Sequence, residues 1–204
     1  MLDQIIPFLT ASILLTFSPG PDIIYVLVRS MAYGAKQGII TALGLVSGIL
    51  IHTSLVAFGV SAIIKQSENI FLIIKIFGAV YLLYLAWQVY KSNPDIAFSS
   101  EGLNKRNSFS IFRKGFIMNV LNPKVGIFFL AFFPGFLWDP KANTVLQFYI
   151  LGLLFMIQAL MIFSLVAVLS DKISKYIKSH PKSGLFLKWM QIVIFILITG
   201  LILL

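Results

Sequence analysis

Cysteine is absent from this chain of 204 residues. Without a thiol the protein forms no disulfide, carries no thiol relay and offers no thiolate to a zinc ion. Acidic residues are also scarce, since Asp and Glu together number seven. Charged residues of both signs make up 11% of the chain, whereas an ordinary soluble domain has about 25%. A water-soluble core therefore does not account for this composition.

Three catalytic patterns are missing as well. The sequence has no G-x-x-x-x-G-K-[ST] loop for nucleotide phosphates, no H-E-x-x-H zinc helix and no G-x-S-x-G nucleophile turn. The two histidines, His52 and His180, are too far apart in sequence to form a helical zinc pair. We therefore expect the protein not to be an enzyme, and to bind neither a metal ion nor an organic cofactor.

Apolar residues dominate the chain, at 59% of the sequence with a mean hydropathy of +0.96. A membrane-spanning helix needs roughly 20 consecutive apolar residues to cross the hydrocarbon layer. Six stretches qualify, near residues 5–29, 38–64, 69–91, 115–138, 144–170 and 183–204. The sequence predicts an all-α membrane protein with six transmembrane helices in one transmembrane domain, residues 1–204.

The first apolar stretch is expected to be a retained span. The N-terminus lacks both the basic segment and the small-residue cleavage site of a removable signal peptide. Its apolar run also continues through the Pro-Gly-Pro element at residues 19–21.

The net charge of +9 is unevenly distributed between the two sides of the predicted bundle. Twelve of the sixteen basic residues fall on one side: Arg29, Lys36, Lys91, Lys105, Arg106, Arg113, Lys114, Lys172, Lys175, Lys178, Lys182 and Lys188. Cytoplasmic loops collect Lys and Arg, so both termini are predicted to lie outside. The basic excess reflects membrane topology, and we expect the bilayer, not nucleic acid, as the partner.

Traces of an internal duplication run along the sequence. The spacing from Phe8 to the Ser-Pro pair at 18–19 recurs from Phe112 to the Asn-Pro pair at 122–123. Ser-Leu-Val-Ala at 54–57 returns at 164–167. Three spans per half is an odd number, so the second half must insert upside down. We predict two inverted three-helix repeats, about residues 1–91 and 111–204, joined by a flexible cytoplasmic linker over about 92–110.

Span one is interrupted by Ser18, Pro19, Gly20, Pro21 and Asp22. The prolines remove amide donors and clash with the preceding turn, and glycine tolerates unusual backbone angles. Unwound backbone persists at membrane depth mainly where it lines a cavity. The carboxylate then has two interpretations. It caps the resumed half-helix, or it binds a substrate ammonium or a proton.

Span four carries a second interruption, at Asn122, Pro123 and Lys124, with Asn119 one turn earlier. Ionisable residues inside a membrane usually mark function. The lysine either meets a substrate carboxylate, pairs with Asp22 in an empty site, or extends toward the cytoplasmic surface. Broken helices at matching places in two halves are the best sequence indication of a transporter's site.

Five further residues are predicted to belong to the site, with His52 as a candidate for substrate binding and the other four as residues that line the site or pack helices around it. Gly44, Gly48 and His52 share one face of span two, where small residues let helices approach closely in lipid. Tyr81 in span three and Gln158 in span five are inward-facing candidates. The same small residues serve internal packing or a homo-oligomer interface equally well.

Together these residues resemble the lysine-exporter (LysE) family, in its homoserine/threonine/leucine exporter (RhtB-type) branch. The matching pieces are SPGPD at 18–22, GAKQG at 34–38, Gly44, Gly48, His52, GAVYLLYL at 78–85, Gly115, Phe116, LNPK at 121–124 and FFP at 132–134. The resemblance implies a small protein of the bacterial inner membrane that exports an amino acid, with proton-motive force as the energy source. It also implies that the two breaks form the central site.

Our leading hypothesis from the sequence is therefore export of a small zwitterionic amino acid by alternating access. A passive channel or facilitator for small polar solutes is the main alternative. A membrane enzyme using Asp22 and His52 as an acid–base pair is a third interpretation, which no catalytic signature supports. A purely structural protein fits poorly with two charged helix breaks.

Overall fold

A computed structural model describes residues 2–60, 68–94, 107–139, 142–180 and 182–203, and this part of the chain contains helices and no strand. The α-helices are α1 (Leu2–Phe17), α2 (Pro21–Tyr33), α3 (Ala35–Leu55), α4 (Glu68–Lys91), α5 (Ser108–Val120), α6 (Pro123–Phe132), α7 (Thr144–Val168), α8 (Ser170–Ser179) and α9 (Ser183–Leu203). A π-helical turn, Val56–Val60, extends α3, and a 3₁₀ turn, Phe133–Phe136, extends α6.

Four of these helices, α3, α4, α7 and α9, are long and apolar enough to cross a membrane. Two further pairs of consecutive helices bring the number of spans to six if each pair is counted as one span. The pair α1 and α2 is bent by 54°, and the pair formed by α5 with α6 and its 3₁₀ extension by 51°. The predicted all-α membrane fold is confirmed, with its interrupted first and fourth spans. The inverted orientation of the two halves stays a prediction, with which the similar bends agree.

Many large apolar side chains face outward, as a membrane protein requires. On α4 the exposed fraction is 64% for Ile73, 59% for Phe77 and 59% for Val80. Soluble monomers rarely expose apolar patches of this extent. Lipid tails cover such a face without cost.

The bundle is built around α3, which packs against α5 and α7. Glycines allow the closest approach, at the crossing of α3 with α5. A β-carbon at Gly115 would lie 2.6 Å from the carbonyl oxygen of Thr41, and one at Gly44 would clash with the backbone of Phe112. Gly44 therefore belongs to the helix-packing set, as predicted for small residues in lipid.

An aromatic cluster holds the second broken span against the first. Phe133 at the end of α6 meets the edge of Phe8 on α1, with ring centroids 4.9 Å apart. Phe129 on α6 packs edge-on against Phe155 of α7 at 5.2 Å. Edge-to-face contacts of this kind are favourable beyond the area they bury. The cluster thus fixes the two helix breaks relative to each other.

The short helix α8, which has one apolar and one basic face, was not predicted from the sequence. Ile173 and Ile177 are one turn apart and pack on the apolar core, while Lys172 and Lys175 are exposed. This is the pattern of a helix lying at a membrane surface. The two isoleucines one turn apart and the lysines beside them are visible in the sequence, but basic residues between two spans are also typical of a plain cytoplasmic loop.

Several predictions fall on residues that the structure does not describe. Residues 95–106 of the predicted linker lie outside the described residues, and this range includes Lys105 and Arg106 of the predicted basic side. The repeat boundaries near 91 and 111 are therefore compatible with the helix ends at Lys91 and Ser108, and the division into halves remains a prediction.

We expect Gly44→Ala to destabilise the protein by about 1–3 kcal/mol, because the added methyl group overpacks the α3–α5 crossing. Thermal unfolding of purified protein in detergent micelles measures the effect as a lower midpoint. Gly200→Ala is the matched control, since a β-carbon there meets nothing within 4 Å. Equal midpoints for the two variants would contradict the close crossing.

Candidate functional site

The first break exposes backbone carbonyls at the end of α1. The Ser18 amide still bonds to the carbonyl oxygens of Leu14 and Leu15, at 3.0 and 3.2 Å. Pro19 and Pro21 then contribute no amide, so the helical ladder cannot continue. Gly20 is fully extended, with φ −163° and ψ 176°. The chain re-enters a helix at Pro21, and Asp22 falls in the first turn of α2.

The second break is organised by an asparagine cap. Asn122 is extended, and its side-chain oxygen accepts a bond from the Lys124 amide at 3.0 Å. Pro123 occupies the first position of α6, where a missing amide costs nothing. The local sequence Asn-Pro-Lys thus ends one helix and starts the next.

Asp22 receives its hydrogen bonds from the other broken span. The amide nitrogens of Asn119 and Asn122 donate to its two carboxyl oxygens, at 3.1 and 3.0 Å. The N-cap position of α2 is Gly20, which has no side chain, so Asp22 lies inside the first turn and is not the N-cap residue. Its carboxylate sits at the positive end of α2.

Lys124 reaches back across the same interface. Its ammonium donates to the carbonyl oxygens of Leu15 and Ser18, at 3.3 and 3.1 Å. A β-carbon at Gly20 would lie 3.4 Å from this ammonium, so the glycine leaves room for it. Lys124 does not extend to the surface, and the described residues include no ion pair between Lys124 and Asp22.

His52 connects span two to the second break. Its Nε2 lies 3.0 Å from the carbonyl oxygen of Asn119, to which the ring donates. Gly48, one turn earlier on α3, makes space for Asn119, because a β-carbon there would lie 2.7 Å from Asn119 Oδ1. Both predicted residues therefore support the asparagine that holds Asp22.

The two remaining candidates, Gln158 and Tyr81, lie in different places relative to the breaks. Gln158 is buried and donates to Thr16 Oγ1 at 3.0 Å, which links α7 to the end of α1. Tyr81 is half-buried on α4, packs against Tyr84 and does not line the cavity between the breaks. Gln158 is brought to the edge of the site, and Tyr81 is not.

A small cavity, here called the polar cavity, lies between the two breaks with a volume of about 40 Å³. It is lined by Leu15, Thr16, Ser18, Gly20, Pro21, Asp22, Ile23, Ile49, Asn119, Asn122, Lys124, Val125, Phe155 and Phe163. Buried Ser18 Oγ and Asn119 Oδ1 have no hydrogen-bond partner there. Such a volume holds on the order of a few water molecules.

The donor set of the polar cavity suits an organic zwitterion better than a metal. No group of three or more His, Cys, Asp or Glu side chains comes together among the described residues. What the cavity offers is one carboxylate, one ammonium, two amides and open backbone carbonyls. A carboxylate and an ammonium side by side are complementary to an ammonium and a carboxylate of a ligand.

Thr16, Phe155 and Phe163 line the polar cavity but were not predicted from the sequence. Thr16 is a polar residue in the apolar run before the first break, and that position was a readable signal. Phe155 and Phe163 line the opposite side from α7. Nothing distinguishes them in sequence from other phenylalanines that face lipid or core.

Comparison with known proteins finds relatives over most of the chain. The model of the LysE type translocator family matches residues 13–203. A homoserine/homoserine lactone efflux protein of Salmonella typhimurium is 29% identical over 86% of this chain and 84% of its own. An uncharacterized membrane protein of Vibrio cholerae is 28% identical over 84% and 83%. One of Escherichia coli is 33% identical over 57% and 53%. No solved structure matches the chain significantly.

We expect Asn122→Ala to destabilise the protein by about 1–3 kcal/mol more than Asn107→Ala does, since a buried carboxylate loses a donor. Both asparagines cap a helix, but the exposed Asn107 side chain accepts from the Ser110 amide of α5 and has no buried carboxylate as a partner among the described residues. The difference between the two unfolding midpoints therefore reports the bond to Asp22. Equal losses would mean that Asn122 acts as a cap and nothing more.

Proposed function

Because the chain belongs to the LysE type translocator family, we propose that it exports a small zwitterionic amino acid from the bacterial cytoplasm across the cytoplasmic membrane. Members of this family are translocators, not enzymes. The observation that carries the proposal is the meeting of Asp22 and Lys124, each from a helix break, in one cavity. Opposite charges at membrane depth match the two charges of an amino acid.

In this proposal Asp22 binds the α-ammonium of the substrate. Lys124, Asn122 and the freed amides bind its carboxylate. The substrate therefore competes with bonds that the empty site makes to itself. Its carboxylate draws the lysine away from the carbonyls of Leu15 and Ser18, and its ammonium draws Asp22 away from Asn119.

This competition gives binding a way to move the helices. The bonds exchanged between the breaks hold the first and fourth spans together in the empty protein. A ligand shifts a conformational equilibrium only by binding one state better than the other. A substrate that replaces bonds across the interface favours the state in which the interface is open, which is the requirement of alternating access.

Proton-motive force is the proposed energy source, with Asp22 as the group that takes up the proton. One charge moved down a membrane potential contributes about 2.3 kcal/mol per 100 mV. This is sufficient for outward movement against a modest gradient. A proton on Asp22 also removes the partner of the substrate ammonium, so proton uptake promotes release.

A neutral amino acid of the homoserine, threonine or leucine type is the proposed substrate. The name of the Salmonella relative, a homoserine/homoserine lactone efflux protein, supports this class. So does the presence of one carboxylate and one ammonium in the polar cavity, since the described residues that line it include no second acidic group for a basic side chain.

We expect Asp22→Asn to abolish export that depends on a pH gradient. The neutral amide keeps the size of the side chain but neither pairs with an ammonium nor takes up a proton. Efflux of labelled homoserine, threonine and leucine from loaded vesicles measures the loss. Asp171→Asn, at an exposed position in the first turn of α8, is the control and should export normally. If the Asp22→Asn variant still exports amino acids in response to a pH gradient, Asp22 has no part in the mechanism. If the unmodified protein moves amino acids only down their own concentration gradient, the protein is a facilitator.

We also propose that both termini lie outside the cytoplasm. Trp87, Tyr90 and Trp189 form an exposed aromatic group beside Lys91 and Lys188, with Trp87 and Tyr90 stacked at 5.9 Å. Aromatic rings and basic residues gather at the membrane interface, and the basic ones on the cytoplasmic side.

Fusions at the C-terminus test this orientation. We expect alkaline phosphatase joined after residue 204 to be active, because that enzyme folds only outside the cytoplasm, and a green fluorescent protein at the same place to be dark. The same two reporters inserted in the linker, at residue 100, should give the reverse result. A bright C-terminal fusion would contradict the assignment.

A further inference from the structure

A second and larger cavity lies beside the first break, with a volume of about 390 Å³. It is lined by residues of α1, α2, α4, α7, α8 and α9 and is here called the vestibule. Its walls are mainly apolar and include Phe17, Ile24, Leu27, Val89, Ile177 and Met190. It lies at the lysine-rich end of the bundle, where α8 and the end of α4 are found.

The vestibule and the polar cavity share a wall. Ile23 lines both of them. Along the break, Phe17 and Pro19 line the vestibule, whereas Ser18, Gly20 and Pro21 line the polar cavity. The unwound stretch is therefore the partition between a large apolar space and a small charged one.

The two volumes make a joint role necessary for any amino acid bound here. The polar cavity, at about 40 Å³, carries the charged groups but is too small for a whole amino acid. The vestibule, at about 390 Å³, falls within the range of roughly 300–1,000 Å³ that small-molecule sites occupy. The charged groups that match an amino acid thus lie on one side of the first break, and the space for its side chain lies on the other.

Charge at the mouth of the vestibule indicates which side chains it accepts. Lys188 lines it and donates to the carbonyl oxygen of Ser92 at 2.8 Å, which joins α9 to the end of α4. Among the described residues that line the vestibule there is no Asp or Glu. A cationic side chain entering this space would meet a like charge and find no acidic partner.

We propose that the vestibule is the cytoplasmic subsite of the transporter, which admits the substrate and holds its neutral, apolar side chain. The ammonium and the carboxylate then lie at the break, within reach of Asp22 and Lys124. The site selects neutral aliphatic amino acids up to about the size of leucine and rejects those with basic side chains. This inference rests on the proposed function of amino-acid export.

The absence of cysteine makes a direct test of this subsite free of background. Met190→Cys places a thiol on the vestibule wall, and Trp189→Cys places one on the adjacent residue of α9, which is 49% exposed on the outer surface of the bundle. Membrane vesicles of each orientation are treated with a membrane-impermeant maleimide. We expect Met190→Cys to react from the cytoplasmic side alone, about tenfold faster than Trp189→Cys.

Protection by amino acids identifies the occupant. Leucine and homoserine should slow the labelling of Met190→Cys, whereas arginine should not. A vestibule filled by a lipid chain would instead react with a lipid-soluble maleimide and not with the impermeant reagent. That result, or labelling that no amino acid changes, would overturn the proposal.

A change in wall shape gives an independent readout in transport. Ile177→Phe narrows the vestibule from α8 without touching the polar cavity, so leucine export should fall about tenfold relative to alanine export, as expected for an overfilled apolar pocket. Tyr176→Phe, at an exposed neighbour, should leave the ratio unchanged.

The two proposals fail in different ways. An unchanged leucine-to-alanine ratio in Ile177→Phe, with export still lost in Asp22→Asn, would reject the vestibule subsite and keep the exporter. No efflux of any amino acid by the unmodified protein, with Met190→Cys still reactive and unprotected, would reject both.

Discussion

The structure depends on an exchange of hydrogen bonds between two helices that each break in the membrane. Lys124, at the start of α6, donates to the carbonyls that α1 leaves open, and Asn119 and Asn122 donate to the carboxylate at the start of α2. Water is not available in the hydrocarbon layer, so every freed backbone group needs a partner within the protein. Each break is therefore completed by the other.

This mutual dependence explains why the neighbouring elements pack as closely as they do. Gly44 and Gly115 bring α3 and α5 into backbone contact, and His52 then reaches the carbonyl of Asn119. The aromatic contacts of Phe133 and Phe129 hold α6 against α1 and α7. Charged groups at membrane depth are tolerable only when geometry places their partners within bonding distance. The packing supplies that geometry.

Local chemistry explains which features were predictable from the sequence. The Pro-Gly-Pro element and the asparagine before Pro123 end helices through local chemistry, so both breaks, the spans and the all-α class followed from residues read in order, although Pro7 lies inside α1 without ending it. The partners of Asp22 did not follow, because 97 and 100 residues separate it from Asn119 and Asn122. The acceptors of Lys124 are backbone carbonyls, which carry no sequence signal. The vestibule was also unpredictable, since residues of six helices must come together before its walls exist.

Charge balance links the site to the energetics of transport. An empty site with an aspartate and a lysine is neutral, and a zwitterionic amino acid is neutral too, so loading the site leaves its net charge unchanged. A site with an unpaired charge would carry a desolvation penalty in one of its two states. Transport of the zwitterion alone therefore moves no net charge across the membrane. The membrane potential drives transport only if an ion also crosses the membrane in the same cycle. In the mechanism we propose, a proton bound at Asp22 supplies that charge, so that substrate binding and the membrane potential act on the same carboxylate.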